Sequence, residues 1–480
     1  MEYDIAVIGE GAAGSLAASL LHREGARVLW LDAGPGPDDP PPTASARTFS
    51  HQSASYVFNE ETSRFLADDR DLHATSVGAD EFQWIHGRGL GGRTLLWQGV
   101  CPRFTEREFE PIALGRWTER WPLTLADLEP YYDRVEAHYG LRRFASPEKT
   151  RVLEDLRRRL GITIDHCPYI PNYFSDLAAD YRGLIERSLA AGVLEGGPGL
   201  DYRANTLVTR LRTDATRGVA EAVEAIDLRT GDAHEFSARH FLLAASTLES
   251  TRILMNSRSA EHPGGIGSHS DCLGRFLMTH LKGVSLASGT SASGAVAYVR
   301  RPEELFYAHH QREFAPEPDF IRGWGLQVRC RGAGESLKFN NFGEDLPDPE
   351  NRVHLDAEDR DVWGRPRLRI AYRYGANEEK MRRAQVEYMR TIATRLELDA
   401  PKISETLANP GRNNHEVGTA RMGTNPDTSV LDGESRVWSC PNVRVTDGAC
   451  FTTSGYQNPT LTILALTWRA CDGMLESLRA

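Results

Sequence analysis

A glycine-rich turn joins a short apolar strand to a helix of small residues at the start of this chain. Residues 4–9 read Asp-Ile-Ala-Val-Ile-Gly, and residues 9–14 read Gly-Glu-Gly-Ala-Ala-Gly. A second apolar run, residues 27–31, ends at Asp32. Strand, glycine turn, helix and strand in this order predict a βαβ unit, whose two strands lie parallel in one sheet.

Each glycine of the 9–14 segment has a mechanical role if the turn binds a dinucleotide. Gly9 permits the tight turn, Gly11 lets the backbone approach a pyrophosphate, and Gly14 lets the helix pack closely on the strand. The helix N-terminus presents free N–H groups to the phosphates. Asp32 can accept hydrogen bonds from a ribose diol. The alternative is a glycine turn that serves packing alone, but the preceding strand and the following acid favour the dinucleotide site.

A second glycine cluster lies at residues 86–99, which read His-Gly-Arg-Gly-Leu-Gly-Gly-Arg-Thr-Leu-Leu-Trp-Gln-Gly. Glycines are costly to order because each has more backbone entropy to lose. Such a segment usually lets the backbone approach something flat or anionic. A flexible linker is the alternative, but the interleaved Leu90, Leu95, Leu96 and Trp97 indicate a buried segment that contacts a cofactor.

The last seventy residues hold three further motifs. His415 lies in Asn-His-Glu-Val-Gly-Thr at 414–419, and Asn458 lies in Gln-Asn-Pro-Thr-Leu-Thr at 457–462. Between them, residues 445–448 read Val-Thr-Asp-Gly, which is typical of a strand that ends in a turn. The tail therefore offers a base and a helix N-terminus to the ligand that the first glycine segment binds.

Length and composition restrict the class of protein. A chain of 480 residues with a net charge of −11 predicts two intertwined domains and disfavours a nucleic-acid surface. The seven cysteines are scattered without a CxxC pair, so we expect neither a metal site nor a disulfide framework. No apolar run approaches the roughly 20 residues of a membrane span. The first strand leaves no room for a secretory signal, so we expect a cytoplasmic protein.

The rest of the chain divides into segments of different character. Short strands are predicted within 205–232 and at 241–245, and the latter runs into a helix near residue 246. Residues 281–375 are rich in predicted strands, and residues 376–396 have the pattern of a charged amphipathic helix. Nucleotide-type elements at both ends and in the middle imply one domain built from discontinuous segments, with a second domain inserted.

The two glycine clusters, Ala-Ala-Ser-Thr at 244–247 and the tail motifs resemble the glucose–methanol–choline (GMC) family of FAD-dependent oxidoreductases. The tail is most similar to pyranose-oxidase-like and bacterial sugar-oxidising members, as is Trp-Pro-Leu at 121–123. The resemblance implies an α/β fold, α+β overall. A Rossmann-like FAD-binding domain would comprise residues 1–105, 196–280 and 411–480. An inserted antiparallel-sheet substrate domain and its connections would comprise residues 106–195 and 281–410.

In that family the position of His415 faces the flavin and assists removal of the hydroxyl proton, and the position of Asn458 completes the catalytic pair. Imidazole suits this task near neutral pH. Asn458 can hydrogen-bond an alkoxide but cannot itself be the base. The alternative for His415 is a structural role in its Gly-Thr turn. His280 also resembles a family motif, and we interpret it as structural rather than catalytic.

The resemblance also implies the cofactor contacts. Asp447 and Gly448 would contact the phosphates or the ribityl chain, and the final helix would begin at Pro459 and Thr460 against the flavin pyrimidine. Some relatives link FAD covalently through a histidine at the place of Leu96, so we expect non-covalent FAD here. The complete set of expected cofactor contacts is Gly9, Gly11, Ala12, Ala13, Gly14, Asp32, Arg88, Gly91, Gly92, Thr94, Leu95, Leu96, Trp97, Val208, Ala245, Asp447, Gly448, Asn458, Pro459 and Thr460.

The predicted activity is FAD-dependent oxidation of an alcohol carbon, on a sugar, glycoside or sugar-like compound, by hydride transfer to flavin N5 with His415 as base. Oxygen or a separate quinone or protein would then accept the electrons. Three alternatives remain: a non-sugar alcohol, a redox-neutral lyase on the same fold, and an NAD(P)-binding Rossmann protein without flavin. The second glycine cluster and the tail disfavour the last, because a nicotinamide enzyme needs neither.

Overall fold

The structure is a computed structural model that describes residues 2–36, 39, 74–78, 80–84, 91–95, 97, 99–170, 198–214, 216–288, 304–310 and 319–479. The helices within these residues are α1 (Ala12–Arg23), α2 (Glu106–Phe109), α3 (Leu125–His138), α4 (Pro147–Leu160), α5 (Thr247–Asn256), α6 (Ala376–Arg395) and α7 (Thr460–Arg479).

The strands within the same residues belong to four sheets. In chain order they are β1 (Tyr3–Ile8), β2 (Val28–Leu31), β3 (Ala74–Ser76), β4 (Arg142–Arg143), β5 (Asp165–His166), β6 (Pro168–Tyr169), β7 (Leu200–Arg203), β8 (Thr206–Thr213), β9 (Ala220–Asp227), β10 (Ala233–Leu243), β11 (His280–Leu281), β12 (Ser285–Ser288), β13 (Leu305–Ala308), β14 (Trp324–Arg331), β15 (Ser336–Glu344), β16 (Arg352–Arg360), β17 (Pro366–Ala371), β18 (Lys402–Ser404), β19 (Arg436–Val437) and β20 (Cys440–Val445).

An eight-stranded sheet has the order β19-β20-β10-β1-β2-β7, with β9 attached to β10 and β8 attached to β9. β1 pairs in parallel with β2 and β10, so β1, α1 and β2 form the βαβ unit that the first thirty residues predict. Helices α1 and α7 cover one face, where Ala17 and Met474 pack against Val7. Continuous apolar strands are expected where both faces of a parallel sheet are covered.

β10 is shared between two kinds of pairing. Its first residues, 233–237, pair antiparallel with β9, whereas residues 238–243 pair in parallel with β1. β20 then adds to the other edge of β10, also in parallel. The strands of this one sheet therefore come from three distant stretches of the chain: its first 31 residues, 200–243 and 436–445.

A seven-stranded sheet has the order β18-β12-β15-β14-β13-β5, with β11 paired to β15. All of its pairings are antiparallel. One face packs against α4 and α6, where Leu156 and Met389 contact a core that includes Leu326, Val328 and Phe339. Alternate residues of β14 and β15 point to the opposite face of the sheet.

The predicted fold class, a Rossmann-like parallel sheet with an added antiparallel-sheet domain, is confirmed. The exact boundaries at residues 105, 195, 280 and 410 stay a prediction. Within the described residues, none of the helices combines the length and hydrophobicity that crossing a membrane requires.

Candidate active site

A large cavity opens where the parallel strands of the eight-stranded sheet end. Ile8 of β1, Leu31 of β2, Ala244 after β10 and Asp447 after β20 all line it. The cavity and its open mouth contain about 1850 Å³ of space that protein atoms do not occupy. Ligands of open α/β sheets bind in this position, beyond the carboxyl ends of the strands.

The first glycine segment shapes one wall of the cavity. Gly9 has φ +106°, and a Cβ there would overlap the carbonyl oxygen of Ala244. A Cβ on Gly14 would overlap the carbonyl oxygen of Gly9, so Gly14 permits close packing of α1. A Cβ on Gly11 would meet no protein atom within 4 Å, and Gly11 lines the cavity. Gly11 therefore leaves space for a ligand at the N-terminus of α1.

The second glycine cluster lies against the first. The N–H of Gly91 donates to the carbonyl oxygen of Glu10 at 3.2 Å, and a Cβ on Gly92 would be 3.4 Å from Gly11 Cα. Thr94 and Trp97 also line the cavity. Of the other predicted contacts here, Arg88, Leu96 and the side chain of Leu95 lie outside the described residues.

Arg93 ties this glycine cluster to the segment that carries His415. Its Nη1 atom lies 2.6 Å from Glu416 Oε2, and the Glu416 side chain is fully buried. The same atom donates to the backbone oxygen of Asn414, and Nη2 donates to Ser246 Oγ. Because the Glu416 carboxylate is fully buried, breaking this pair leaves a buried charge without its partner.

Three helices direct their N-termini at the cavity. Ala12 and Ala13 begin α1, Thr247 begins α5, and Thr460 begins α7, and all four residues line the cavity wall. The free N–H groups and the positive end of each helix dipole favour an anionic ligand. The arrangement suits a diphosphate together with a ring system that becomes anionic when reduced.

Most residues predicted from the sequence meet at this cavity. Gly14 and Gly91 lie just behind the wall, where they pack against neighbouring backbone. The predicted residues that line it are Gly9, Gly11, Ala12, Ala13, Asp32, Gly92, Thr94, Trp97, Val208, Ala245, His415, Asp447, Gly448, Asn458, Pro459 and Thr460.

Backbone pairing brings His415 and His280 together. Met278 and Val417 form an antiparallel bridge, with N–H to carbonyl oxygen distances of 2.9 and 3.0 Å. In antiparallel pairing, this bridge places residue 280 opposite residue 415. The two Nδ1 atoms lie 2.9 Å apart. His280, interpreted from the sequence as structural, thus contacts the candidate base directly.

The other ring nitrogen of His415 faces Asn458. Gln327 Nε2 donates to Asn458 Oδ1 at 2.9 Å, which turns Asn458 Nδ2 toward His415 Nε2 at 3.3 Å. Because the amide nitrogen is a donor, His415 Nε2 must accept, and the ring proton of His415 lies on Nδ1. Nδ1 of His280 then accepts that proton's hydrogen bond.

The surroundings keep both imidazoles neutral. Burial lowers the pKa of His415 well below its usual value, and His280, Lys282 and Arg93 lower it further. Burial likewise lowers the pKa of His280 to about 4. A neutral His415 with an accepting Nε2 atom at the cavity wall can receive a proton from a bound hydroxyl group.

Glu10 is a site residue that the sequence did not single out. Its carboxyl accepts a hydrogen bond from Tyr202 Oη at 2.5 Å. Burial, and the nearby charge of Asp32, raise its pKa well above the usual value. The Asp32 carboxylate accepts the N–H of Glu10 at 2.9 Å and that of Gly34 at 2.5 Å. Each carboxylate oxygen can accept a second hydrogen bond, so Asp32 can still bind a ribose diol.

Comparison with known proteins agrees with this geometry. The GMC oxidoreductase family profile matches residues 347–467. The chain is 28% identical to 2-methyl-1,2-propanediol dehydrogenase of Mycolicibacterium austroafricanum, over 98% of this chain and 94% of that protein. It is also 28% identical to paromamine 6'-oxidase of Streptomyces fradiae, over 99% of this chain and 92% of that protein.

The chain belongs to the GMC oxidoreductase family. The crystal structure of pyridoxine 4-oxidase from Mesorbium loti shares the fold, with a TM-score of 0.65 at 19% identity over 98% of this chain and 99% of that one. This GMC oxidoreductase acts on CH–OH groups, as its relatives do. The predicted family and enzyme class are confirmed.

GMC oxidoreductases are FAD-dependent flavoproteins, and the cavity of this member fits FAD. Gly11 leaves the space that a diphosphate needs, and the helix N-termini face it. Val208, one of the expected cofactor contacts, lines the same cavity as Asn458 and Pro459, which the resemblance places near the flavin. Sequence reasoning missed Gln327, Phe342 and Lys282, which line the cavity only because β11, β14 and β15 are in register.

Proposed function

We propose that this GMC oxidoreductase oxidises a carbinol carbon of a sugar, glycoside or sugar-like compound to a carbonyl, with His415 as the base. The observation that carries the proposal is the placement of His415 Nε2 and Asn458 Nδ2, 3.3 Å apart at the wall of the cavity. A hydroxyl oxygen that contacts both atoms has a proton acceptor on one side and a neutral donor on the other.

His415 removes the hydroxyl proton. Its Nε2 atom is the acceptor because its Nδ1 proton is held by Nδ1 of His280 at 2.9 Å, and a substrate hydroxyl would take the place of Asn458 Nδ2 at that lone pair. Low pKa values of both rings keep them neutral, so the base is already in its accepting form at neutral pH. General bases of this type contribute about 10²–10⁴-fold to the rate.

Asn458 stabilises the oxygen as negative charge develops on it. Gln327 holds the Asn458 carboxamide from the other side, so the Nδ2 group stays directed at the substrate position. A donor that is fixed before the reaction costs no reorganisation when the charge appears. The pairing of an acceptor and a fixed donor is what an alkoxide-like transition state requires.

Bound FAD supplies the hydride acceptor. Its diphosphate would lie at the glycine segments around Gly11 and Gly92, and its flavin near Pro459 and Thr460. With leucine at position 96, non-covalent binding is proposed. Acid precipitation of the purified protein should release the yellow flavin into the supernatant, whereas colour that stays with the pellet would disprove non-covalent binding.

An anaerobic substrate screen tests the function itself. Free sugars, glycosides, amino sugars and simple alcohols would each be mixed with the FAD-loaded enzyme while flavin absorbance is recorded. We expect a polyol or glycoside to bleach the flavin, with a slower rate for its carbon-deuterated form. A response to simple alcohols alone would favour the non-sugar alternative, and reduction by NAD(P)H alone would overturn the proposal.

A further inference from the structure

Lys282 places a positive charge in the substrate part of the cavity. It follows β11 directly, two residues after His280, and it lines the cavity together with Gln327, Phe342 and His415. Its Nζ atom lies 5.3 Å from the centroid of the Phe342 ring, which lies 6.4 Å from the His415 ring centroid. The ammonium group and the base therefore face the same part of the cavity.

The backbone holds Lys282 in this position. Its carbonyl oxygen accepts the N–H of Ala408 at 2.7 Å. Gly283, at φ +128°, packs so closely on residues 406–408 that a Cβ would overlap the Thr406 carbonyl oxygen. On the other side, His280 and Leu281 pair with β15. The backbone of Lys282 is therefore held on both sides, next to the cavity that its side chain lines.

Two further cations continue outward from Lys282 along the same sheet face. Arg329 of β14 and Lys338 of β15 are cross-strand partners, two residues beyond the Gln327–Asn340 pair. Gln327, Arg329, Lys338 and Phe342 share one face because side chains alternate along a strand. Partial burial lowers the pKa of Lys338, and the positive charges of Arg329 and Lys282 lower it further.

Like charges directly across a strand pair repel each other. The whole chain has a net charge of −11, so a group of cations beside the catalytic cavity opposes the overall balance. Such a local field attracts anions to a cleft and repels cations.

We propose that the alcohol oxidised at this site carries an anionic group, a carboxylate or a phosphate, which Lys282 binds while the carbinol contacts His415 and Asn458. Arg329 and Lys338, which share a sheet face but do not line the cavity, add to the positive field around Lys282. The inference rests on the proposed function, because it needs the carbinol at His415. It narrows the substrate class to hydroxy acids, sugar acids or sugar phosphates, and it disfavours amino sugars.

The test compares four forms of one carbon skeleton in anaerobic flavin reduction: a neutral hexose, its uronic acid, its 6-phosphate and its amino sugar. We expect the acid or the phosphate to exceed the neutral sugar by about 10-fold or more in the rate constant divided by Kd, as a hydrogen bond to a charged group allows. The amino sugar should be the slowest. The acid and phosphate arms identify which anion is preferred.

Lys282→Gln should abolish the preference through a higher Kd for the anionic form, and Lys282→Arg should retain most of it. Lys380→Gln removes an exposed cation from α6 and is the matched control. A second readout needs no turnover: titration with phosphate or a dicarboxylate, followed by flavin absorbance, should show binding that weakens about 10-fold in Lys282→Gln.

Equal values of the rate constant divided by Kd for the acid and the neutral sugar, or a preference that survives in Lys282→Gln, would overturn the inference. If no alcohol of any charge bleaches the flavin, the proposed function fails, and the anion titration still decides the role of Lys282.

Discussion

His280 Nδ1 lies 2.9 Å from His415 Nδ1, at the end of an antiparallel bridge between Met278 and Val417. The orientation of Asn458 assigns the ring proton of His415 to Nδ1, His280 accepts the hydrogen bond of that proton, and Nε2 remains the acceptor that faces Asn458. Without an acceptor at Nδ1, the two neutral tautomers of His415 would compete, and one of them cannot act as a base at the cavity. His280 is therefore a positioning residue for the proposed reaction.

Replacing His280 with Phe keeps a ring of similar volume but removes the acceptor. We expect the rate of flavin reduction to fall by about 10-fold, less than the loss for removing the base itself. The acid limb of the pH profile should also move to higher pH, because His280 contributes to the low pKa of His415. Stopped-flow reduction at several pH values measures both effects.

His280→Asn is the matched control, since the Asn carboxamide oxygen can occupy the position of Nδ1. It should restore most of the rate that Phe loses. If Phe and Asn reduce the flavin equally slowly, with an unshifted acid limb, His280 has a packing role only.

His415→Ala removes the proposed base. The rate of flavin reduction should fall by roughly 10²–10⁴. FAD content, measured from the ratio of visible to ultraviolet absorbance, should stay near that of the wild type, because His415 faces the substrate. Reduction at the normal rate would leave His415 with a structural role in its Gly-Thr turn.

The pH dependence follows from the direction of the His415 shift. Burial and the neighbouring positive charges lower its pKa well below 6.5, so the ring loses its accepting lone pair only when the pH falls through that low value. We expect the rate of flavin reduction to be constant from neutral pH down through pH 6.5 and to fall only at a pH well below 6.5. An acid limb centred above 6.5 would contradict the assignment of His415 as a desolvated neutral base.

Gly11→Ala separates the folding of the chain from the binding of FAD. Gly11 has φ −68°, which alanine adopts without strain, and its Cβ would meet no protein atom within 4 Å. The apoprotein should therefore keep its melting temperature. The methyl group occupies space proposed for the diphosphate, so the Kd for FAD should rise about 10-fold or more, as overpacking of 1–3 kcal/mol implies. Fluorescence titration of the apoprotein with FAD gives this Kd, and Gly433→Ala, away from the cavity, is the control.

Glu344 makes stability depend on pH. Burial raises its pKa from 4.5 to about 7. The contribution of Glu344 to the free energy of unfolding is fully present below pH 4.5. It is lost as the pH rises through 7, because the carboxyl group ionises at a lower pH in the unfolded chain than in the folded one. Glu344→Gln lacks this loss, so between pH 4.5 and 8 it should gain about 3 kcal/mol relative to the wild type. Urea unfolding at both pH values measures the difference. The same comparison for Glu358→Gln, an exposed position, should show no such gain.

Local patterns made much of the fold predictable. The apolar runs around Gly9 and Gly14 determine a βαβ unit by themselves, because strand, turn and helix each depend on neighbouring residues. The motifs around His415, Asp447 and Asn458 identified the family from short segments, and the comparisons confirm that family.

The contacts within the site are harder to predict from the sequence, because they depend on the register between distant segments. His280 meets His415 only through the bridge of Met278 to Val417, across more than a hundred residues. Gln327 lies on β14, and its orientation toward Asn458 follows from the pleat and from pairing with β15. Gln327 carries no local sequence signal, and the family motif around His280 does not indicate that its ring contacts His415.

The position of β1 has a consequence for how the chain is made. β1 leaves the ribosome well before β10, yet it lies between β2 and β10 in the finished sheet, and β10 ends at Leu243. At synthesis rates of about 5–20 residues per second, β10 follows β1 by roughly ten to fifty seconds. During that interval the nascent chain presents an apolar strand edge that can pair with other chains. Chaperones that shield such edges should therefore raise the yield of folded enzyme more than they raise its stability once folded.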